Sequence, residues 1–286
     1  MRFLVTGAGG FLGWRFASLL RERGHEVVAT RRPDGRRRGL ELDALEADAG
    51  DPAVRELVAR CDAVLHFAGV PDPGSARRDP ARAVRENAGT TLNLLEGCRR
   101  HGAGLVYPST VRAAVEPPRD EYALSKRLGE DVCRLHPAPA TVVRLTSVFG
   151  PGQVAWAGAT GAIAAFAARA LEGAPIVIPG NPERTRDFTY VDDVVVAVER
   201  LVADRRWDAT LLLATGAATP LRRAAELVRA AARSRSRIET PGGELPPGEN
   251  ESWEAPEGTA LECVRPFEQA ISSYVDWLRS HAARPR

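Results

Sequence analysis

The chain opens on a short apolar run, Phe3-Leu4-Val5, that leads through Thr6 into Gly7-Ala8-Gly9-Gly10-Phe11-Leu12-Gly13. Helical periodicity continues over about 11–23. A strand, a glycine turn and a helix in that order restrict the fold more than any other stretch. Glycine permits the tight turn, lets backbone N–H groups approach a ligand, and allows helix and strand to pack closely. A helix N-terminus has unpaired N–H groups and the positive end of the helix dipole, so it attracts phosphate. Gly7, Gly10, Phe11, Leu12 and Gly13 are therefore candidates to hold a dinucleotide pyrophosphate. The alternative is a glycine-rich turn without a ligand. Its glycines depart from Gly-x-Gly-x-x-Gly only in spacing.

The rest of the chain supports the dinucleotide. Apolar runs at 3–5, 27–29, 64–67, 105–107 and 142–145 read as buried strands. Helical patterns lie between them, at about 11–23, 52–60, 80–100 and 120–135. Such alternation predicts βαβ units and a parallel sheet covered on both faces. The predicted class is α/β, a doubly wound parallel-sheet Rossmann fold with a smaller C-terminal substrate-binding lobe. The dinucleotide domain is assigned to 1–148 plus about 187–214, and the lobe to 149–186 and 215–286. Within that lobe, 151–162 reads as a mobile loop. Residues 162–172, 191–202, 220–233 and 266–281 read as helices, and 240–258, rich in Pro and Gly, as a long loop.

Bulk properties exclude other classes. The 286 residues are 44% hydrophobic and 27% charged with net charge +2, ordinary for a soluble globular protein and without a general bias toward nucleic acid. No apolar stretch is long enough to span a membrane, and the apolar N-terminus is too short for a signal peptide. Cys61, Cys98, Cys133 and Cys263 lack paired metal-ligand spacing. They read as reduced thiols of a cytoplasmic protein without a metal site.

Lys and Arg total 39, and Lys occurs once, at position 126. In a chain that otherwise uses arginine, a retained lysine suggests a site that needs an amine. Tyr122 lies four residues earlier, on the same helical face. An ammonium beside a phenol lowers its pKa and suits it to proton transfer. The end of the second strand reads Ala29-Thr30-Arg31-Arg32, with no carboxylate to bond a ribose 2′-OH. Arg31 instead suits a 2′-phosphate, which favours NADP(H), with NAD(H) possible. Arg31, Arg32, Arg36, Arg37 and Arg38 otherwise read as a solvated basic loop.

Together these motifs resemble the extended short-chain dehydrogenase/reductase family, the epimerase/dehydratase branch that acts on nucleotide sugars. The resemblance also rests on Asp48, His66-Phe67-Ala68-Gly69, Asn87, Pro108-Ser109-Thr110, Arg144 to Gly152 and Arg186 to Val194. It implies that Tyr122 is the acid/base, with Lys126 lowering its pKa and bonding the nicotinamide ribose. Thr110 would bond the substrate oxygen, with Ser109 the weaker neighbour. Asp48 would contact adenine, and Ala68, Gly69 and Asn87 would lie along the cofactor. Arg186 would bind the substrate diphosphate, and Ser147 stands where many relatives have an Asn on that diphosphate. A homodimer through the Asn87 and Tyr122 helices is implied as well.

The departures narrow the reaction. Sugar 4,6-dehydratases follow the Thr with Asp-Glu, whereas here Val111-Arg112 follows Thr110, which disfavours dehydration. The expected function is an NADPH-dependent ketoreductase of a nucleotide-linked keto-(deoxy)hexose. The alternative is a nucleotide-sugar epimerase with tightly bound NAD. A reductase of a non-sugar carbonyl and a non-catalytic cofactor sensor are the lesser alternatives.

Overall fold

The computed structural model of the chain describes residues 1–33, 40–154, 156, 161–246, 248–249, 251–253 and 261–281. Arg36, Arg37, Arg38 and parts of the two expected loops, 155, 157–160, 247, 250 and 254–260, lie outside the described residues. The chain forms two compact units, Met1–Leu145 with Val194–Leu213, and Thr146–Asp193 with Ala214–Arg286. Residues 146–148 and 187–193 thus belong to the second unit.

The first unit is built on a seven-stranded sheet. Its strands are β1 (Arg2–Thr6), β2 (Glu26–Arg31), β3 (Leu45–Glu46), β4 (Ala63–His66), β5 (Gly104–Thr110), β6 (Ala140–Leu145) and β10 (Ala209–Leu213). They lie in the order β10-β6-β5-β4-β1-β2-β3, and every neighbouring pair is parallel. The order reverses between β1 and β4, the place where open α/β sheets bind ligands beyond their strand ends. Phe3, Leu4 and Val5 are all 0% exposed. Helices cover both faces of a parallel sheet, so its strands read as continuous apolar runs.

Helix α1 (Phe11–Glu22) follows the glycine turn. The segment expected as a helix at 52–60 is a 3₁₀ helix, Pro52–Val58, whose start is capped by Asp51 accepting from the Ala53 amide at 2.9 Å. The long helix expected at 80–100 is divided into α3 (Pro80–Val84), one wider π turn (Arg85–Gly89) and α4 (Thr90–His101). Helix α2 (Pro73–Arg78) precedes it and was not foreseen. Its signal was present, because Asp72-Pro73 and Asp79-Pro80 are each an N-cap carboxylate followed by a pre-set first helical residue.

Helix α5 (Glu121–Leu135) packs on β5 with no spare room. A Cβ at Gly129 would stand 2.2 Å from the Tyr107 hydroxyl oxygen and 2.8 Å from the Asn87 carbonyl. Tyr107 is 1% exposed and donates to that carbonyl at 3.1 Å. With Leu4, Val64, Leu94, Leu105 and Val142 it belongs to one buried cluster.

The second unit has its own core, in which Phe149, Ile163, Phe166, Ile176, Phe188, Ile271 and Tyr274 are buried. Three strands, β7 (Ser147–Phe149), β9 (Thr185–Tyr190) and β11 (Ala218–Pro220), form one sheet, and β8 (Ile176–Pro179) pairs with β12 (Ile238–Gly242). Its helices are α6 (Ala162–Glu172), α8 (Leu221–Ala231) and α9 (Phe267–His281), and α7 (Val191–Ala203) leads back into the first unit. Residues 240–242, expected in a loop, thus end a strand, because pairing with β8 satisfies backbone groups that local sequence does not.

Replacing Gly129 with Ala drives a methyl into the Tyr107 ring. The expected cost is about 1–3 kcal/mol of unfolding free energy by urea titration, and unchanged stability would contradict the close α5–β5 packing.

Candidate active site

The glycine turn brings three stretches of backbone into contact. Gly7 has φ +71°, and a Cβ there would be 2.5 Å from the Phe67 carbonyl carbon. One at Gly13 would be 2.3 Å from the Gly7 carbonyl oxygen. Gly10 caps α1 without a side-chain hydrogen bond. The first-turn amides, including those of Phe11 and Leu12, therefore have no side-chain cap and are available to an anion. A pocket beside the turn is lined by Ala8, Gly9, Gly10, Trp14, Arg31, Leu40, Leu42 and Ala44. Glycine backbone, a helix N-terminus, apolar walls and one arginine fit the adenosine diphosphate half of a dinucleotide.

Pairing of β2 with β3 sets Glu46 opposite Arg31, and Arg31 Nη2 donates to Glu46 Oε1 at 3.3 Å. Sequence reading missed this carboxylate, since it is fifteen residues away and only strand pairing brings it near. Arg32 donates to Glu86 at 2.7 Å, and Glu86 also accepts from Arg82. Asp48 accepts from the Gly50 amide at 2.8 Å, which shapes the turn after β3.

Under the turn runs a chain of hydrogen bonds centred on His66, 1% exposed. Thr6 Oγ1 accepts from the Ala68 amide at 3.2 Å and contacts His66 Nδ1 at 2.8 Å. Thr90 Oγ1 donates to the Glu86 carbonyl and contacts His66 Nε2 at 3.0 Å. These directions assign the proton to Nε2, with Nδ1 as acceptor. Burial, aided by the Lys126 charge, lowers the His66 pKa from 6.5 to about 3, so the ring is neutral.

Asn87, expected along the cofactor, is 1% exposed and committed to the protein. Its Oδ1 accepts from the Val70 amide at 2.9 Å, and its Nδ2 donates to the Val70 carbonyl and to Ser125 Oγ. It anchors the loop after β4, including Gly69, whose missing Cβ leaves room for Asn87 Oδ1. It thereby shapes the stretch that carries Ala68 and Gly69.

Thr110 ends β5, and Tyr122 and Lys126 lie in the first turns of α5. Asp120 caps α5 by accepting from the Ala123 amide at 2.7 Å. Tyr122 is half-buried and packs on Val70, Ala76 and Ala83. Burial pushes its phenol well above the ordinary value; Arg112 opposes the shift, while Asp72 and Asp120 add to it. The lowering by Lys126 expected from sequence is not what this state has. The ammonium donates to the Pro108 carbonyl at 2.9 Å and stands 4.9 Å from the centre of the Tyr107 ring. Burial lowers the Lys126 pKa to about 8, with Cys133 and Glu130 opposing.

Ser109, the weaker partner of Thr110, is corrected by the structure. Successive strand residues face opposite ways. The Ser109 hydroxyl donates to Glu130 Oε1 at 2.5 Å, while Thr110 Oγ1 accepts from the Arg112 amide at 3.3 Å. Glu130, its side chain 0% exposed, also accepts two bonds from Arg144 at 3.0 and 2.6 Å.

In the second unit, Ser147 and Phe188 are register partners in β7 and β9. The Arg186 guanidinium donates to the backbone carbonyls of Thr185, Glu249 and Glu251. In this state it ties down Glu249 and Glu251. Asp187, 0% exposed, accepts from Thr146, Thr189 and the amides of Thr215 and Gly216, so it organises the strand ends. Arg265 stacks on the Tyr190 ring at 4.4 Å, and its amide donates to Asp193.

Comparison with known proteins agrees with this architecture. The family model described as NAD dependent epimerase/dehydratase matches residues 3–210. The chain belongs to that family. Family members like it include a UDP-2-acetamido-2,6-beta-L-arabino-hexul-4-ose reductase of Pseudomonas aeruginosa, 31% identical over 68% of this chain and 48% of that protein. The chain thus matches about half the length of that relative. Two solved UDP-glucose 4-epimerases also superpose on it. That of Thermotoga maritima, with UDP-glucose, is 25% identical with TM-score 0.83, covering 98% of this chain and 99% of the other. That of Thermus thermophilus, with NAD, is 26% identical with TM-score 0.80, with the same coverage. The chain is therefore an enzyme of a family whose members use NAD and nucleotide sugars. No helix among the described residues is long and apolar enough to cross a membrane.

The neutral buried His66 makes the fold sensitive to acid. Its folded pKa lies below its unfolded one, so the stabilisation is present above about 6.5 and is lost as pH falls toward 3. Urea unfolding at pH 7 and pH 4 should show wild type losing more stability than His66→Gln, and equal losses would contradict the neutral buried ring.

Proposed function

We propose that this enzyme is an NADPH-dependent ketoreductase of a nucleotide-linked keto-(deoxy)hexose. The observation that carries this reading is the grouping of Thr110 at the end of β5 with Tyr122 and Lys126 one turn apart on α5, in the unit that also holds the glycine turn. Reduction of a carbonyl needs a proton donor at the start of the step, and a phenol that stays protonated at neutral pH is in the required form. A nicotinamide held at the glycine turn would supply the hydride. Tyr122 gives its proton to the substrate oxygen, and Thr110 orients that oxygen by a hydrogen bond. Lys126, with its ammonium at the end of β5, stabilises the phenolate that results.

Arg31 in the adenosine pocket supports NADP(H), because a guanidinium pairs with a 2′-phosphate. Ser147 and Arg186 are the proposed contacts to the substrate diphosphate. Arg186 must then exchange the carbonyls of Glu249 and Glu251 for phosphate oxygens.

A second reading, an epimerase with tightly bound NAD, is favoured by Glu46. Its carboxylate pairs with Arg31 and offsets the charge that would select a 2′-phosphate. Cofactor released by denaturing the purified enzyme separates the two. Stoichiometric NAD would replace the reductase reading, and free enzyme that takes up NADPH agrees with it.

Replacing Tyr122 with Phe removes the proton donor. Oxidation of NADPH by a UDP-4-keto-hexose, followed at 340 nm, should fall by roughly 10²–10⁴-fold while NADPH binding persists. Near-normal turnover would reject the role of Tyr122.

A further inference from the structure

Arg112 is given no task by the proposed reaction. It lies two residues beyond Thr110, in the 3₁₀ turn Val111–Ala114. Its amide donates to Thr110 Oγ1 at 3.3 Å. Its guanidinium Nη1 donates to Asp120 Oδ2 at 2.8 Å, and the two side chains are 13% and 2% exposed. The other oxygen of Asp120 caps the helix that carries Tyr122, accepting from Ala123 at 2.7 Å. One side chain thus spans the eleven residues between Thr110 and Tyr122. A second strap reinforces it, since Arg127 of α5 donates to the Ala113 carbonyl at 2.9 Å and bonds Glu116.

We propose that Arg112 is a positioning residue for the Thr110–Tyr122 pair, fixing the end of β5 to the start of α5 through its amide and its ion pair with Asp120. The inference rests on Tyr122 being the proton donor. It adds that the phenolate left behind is stabilised by a fixed guanidinium on the β5 side as well as by the lysine on its own helix. The charged and titratable groups that bear on the phenol are Arg112, Asp72 at the start of α2, Asp120 and Tyr107 of β5, and Lys126 stands one turn further along α5. Arg82 of α3 is turned to Glu86. Of the charges that bear on Tyr122, Arg112 lowers its pKa and the two aspartates raise it.

The test uses the full chain labelled with [13Cζ]tyrosine. Four tyrosines give four resonances, and Tyr122→Phe identifies the one of interest. Its titration midpoint is compared in wild type, Arg112→Gln, Arg112→Lys and Asp120→Asn. Asn caps helices about as well as Asp, so the last variant removes charge and keeps the cap. The midpoint should rise by about one pH unit in Arg112→Gln, fall in Asp120→Asn and stay near wild type in Arg112→Lys. A merely structural clamp would not give shifts of opposite sign. If Arg112→Gln fails to fold, the fall in Asp120→Asn with the unchanged Arg112→Lys carries the proposal. The same midpoint in all four proteins, the same absence of one, or shifts of like sign would overturn it. The proposal and the reading beneath it fail differently. Opposite shifts with an active Tyr122→Phe remove the role of Tyr122 as donor, whereas equal midpoints with an inactive Tyr122→Phe remove the role of Arg112.

Discussion

The approach of backbone to backbone at the glycine turn is the constraint on which the rest depends. Side chains at Gly7 and Gly13 would meet main-chain atoms at 2.5 and 2.3 Å, and main chain cannot turn aside as a flexible side chain can. Only their absence lets α1 start directly beyond β1, with its N-terminus beside the point where strand order reverses. Uncapped first-turn amides then face the region where a pyrophosphate is held in folds of this kind. Everything else in the first unit positions groups relative to that point.

Two buried polar assemblies do much of this positioning. His66 links β1, β4 and the start of α4 through two threonine hydroxyls, and does so as a neutral ring. Glu130 links α5, β5 and β6 through Ser109 and the forked Arg144 guanidinium. A buried carboxylate is tolerated only when its oxygens are satisfied, and here three donors reach them. Both assemblies lie behind groups assigned to chemistry. Rigidity at the end of β5 and the first turns of α5 thus comes from residues that need never touch a substrate.

Much of this architecture was legible from sequence because it is encoded locally. The strands of the parallel sheet announce themselves as apolar runs, and α5 by its periodicity. The family followed from short motifs in order. What escaped was set by distant pairing. Strand β3 has two exposed residues and no pattern, yet it delivers Glu46 to Arg31. Strand β9 is Thr-Arg-Asp-Phe-Thr-Tyr, whose buried Asp187 makes sense only with four donors around it. Ser109 and Thr110 are adjacent and chemically alike, and only the pleat separates the one spent on Glu130 from the one left near the strand end. The resemblance sets Asn87 along the cofactor, whereas local sequence gives no sign of its side-chain bonds to Val70 and Ser125. The lysine was placed correctly on the helix but not its bond, because a carbonyl acceptor such as that of Pro108 leaves no trace in sequence.

The central claim is that the glycine turn holds a nicotinamide dinucleotide. Its most direct test is titration of NADH and NADPH, read by nicotinamide fluorescence, into wild type and Gly13→Val. Saturable binding of at least one dinucleotide by wild type, lost in a variant that still shows the wild-type circular dichroism, is the predicted result. Failure of wild type freed of any copurified cofactor to bind either, or equal binding by folded Gly13→Val, would contradict it.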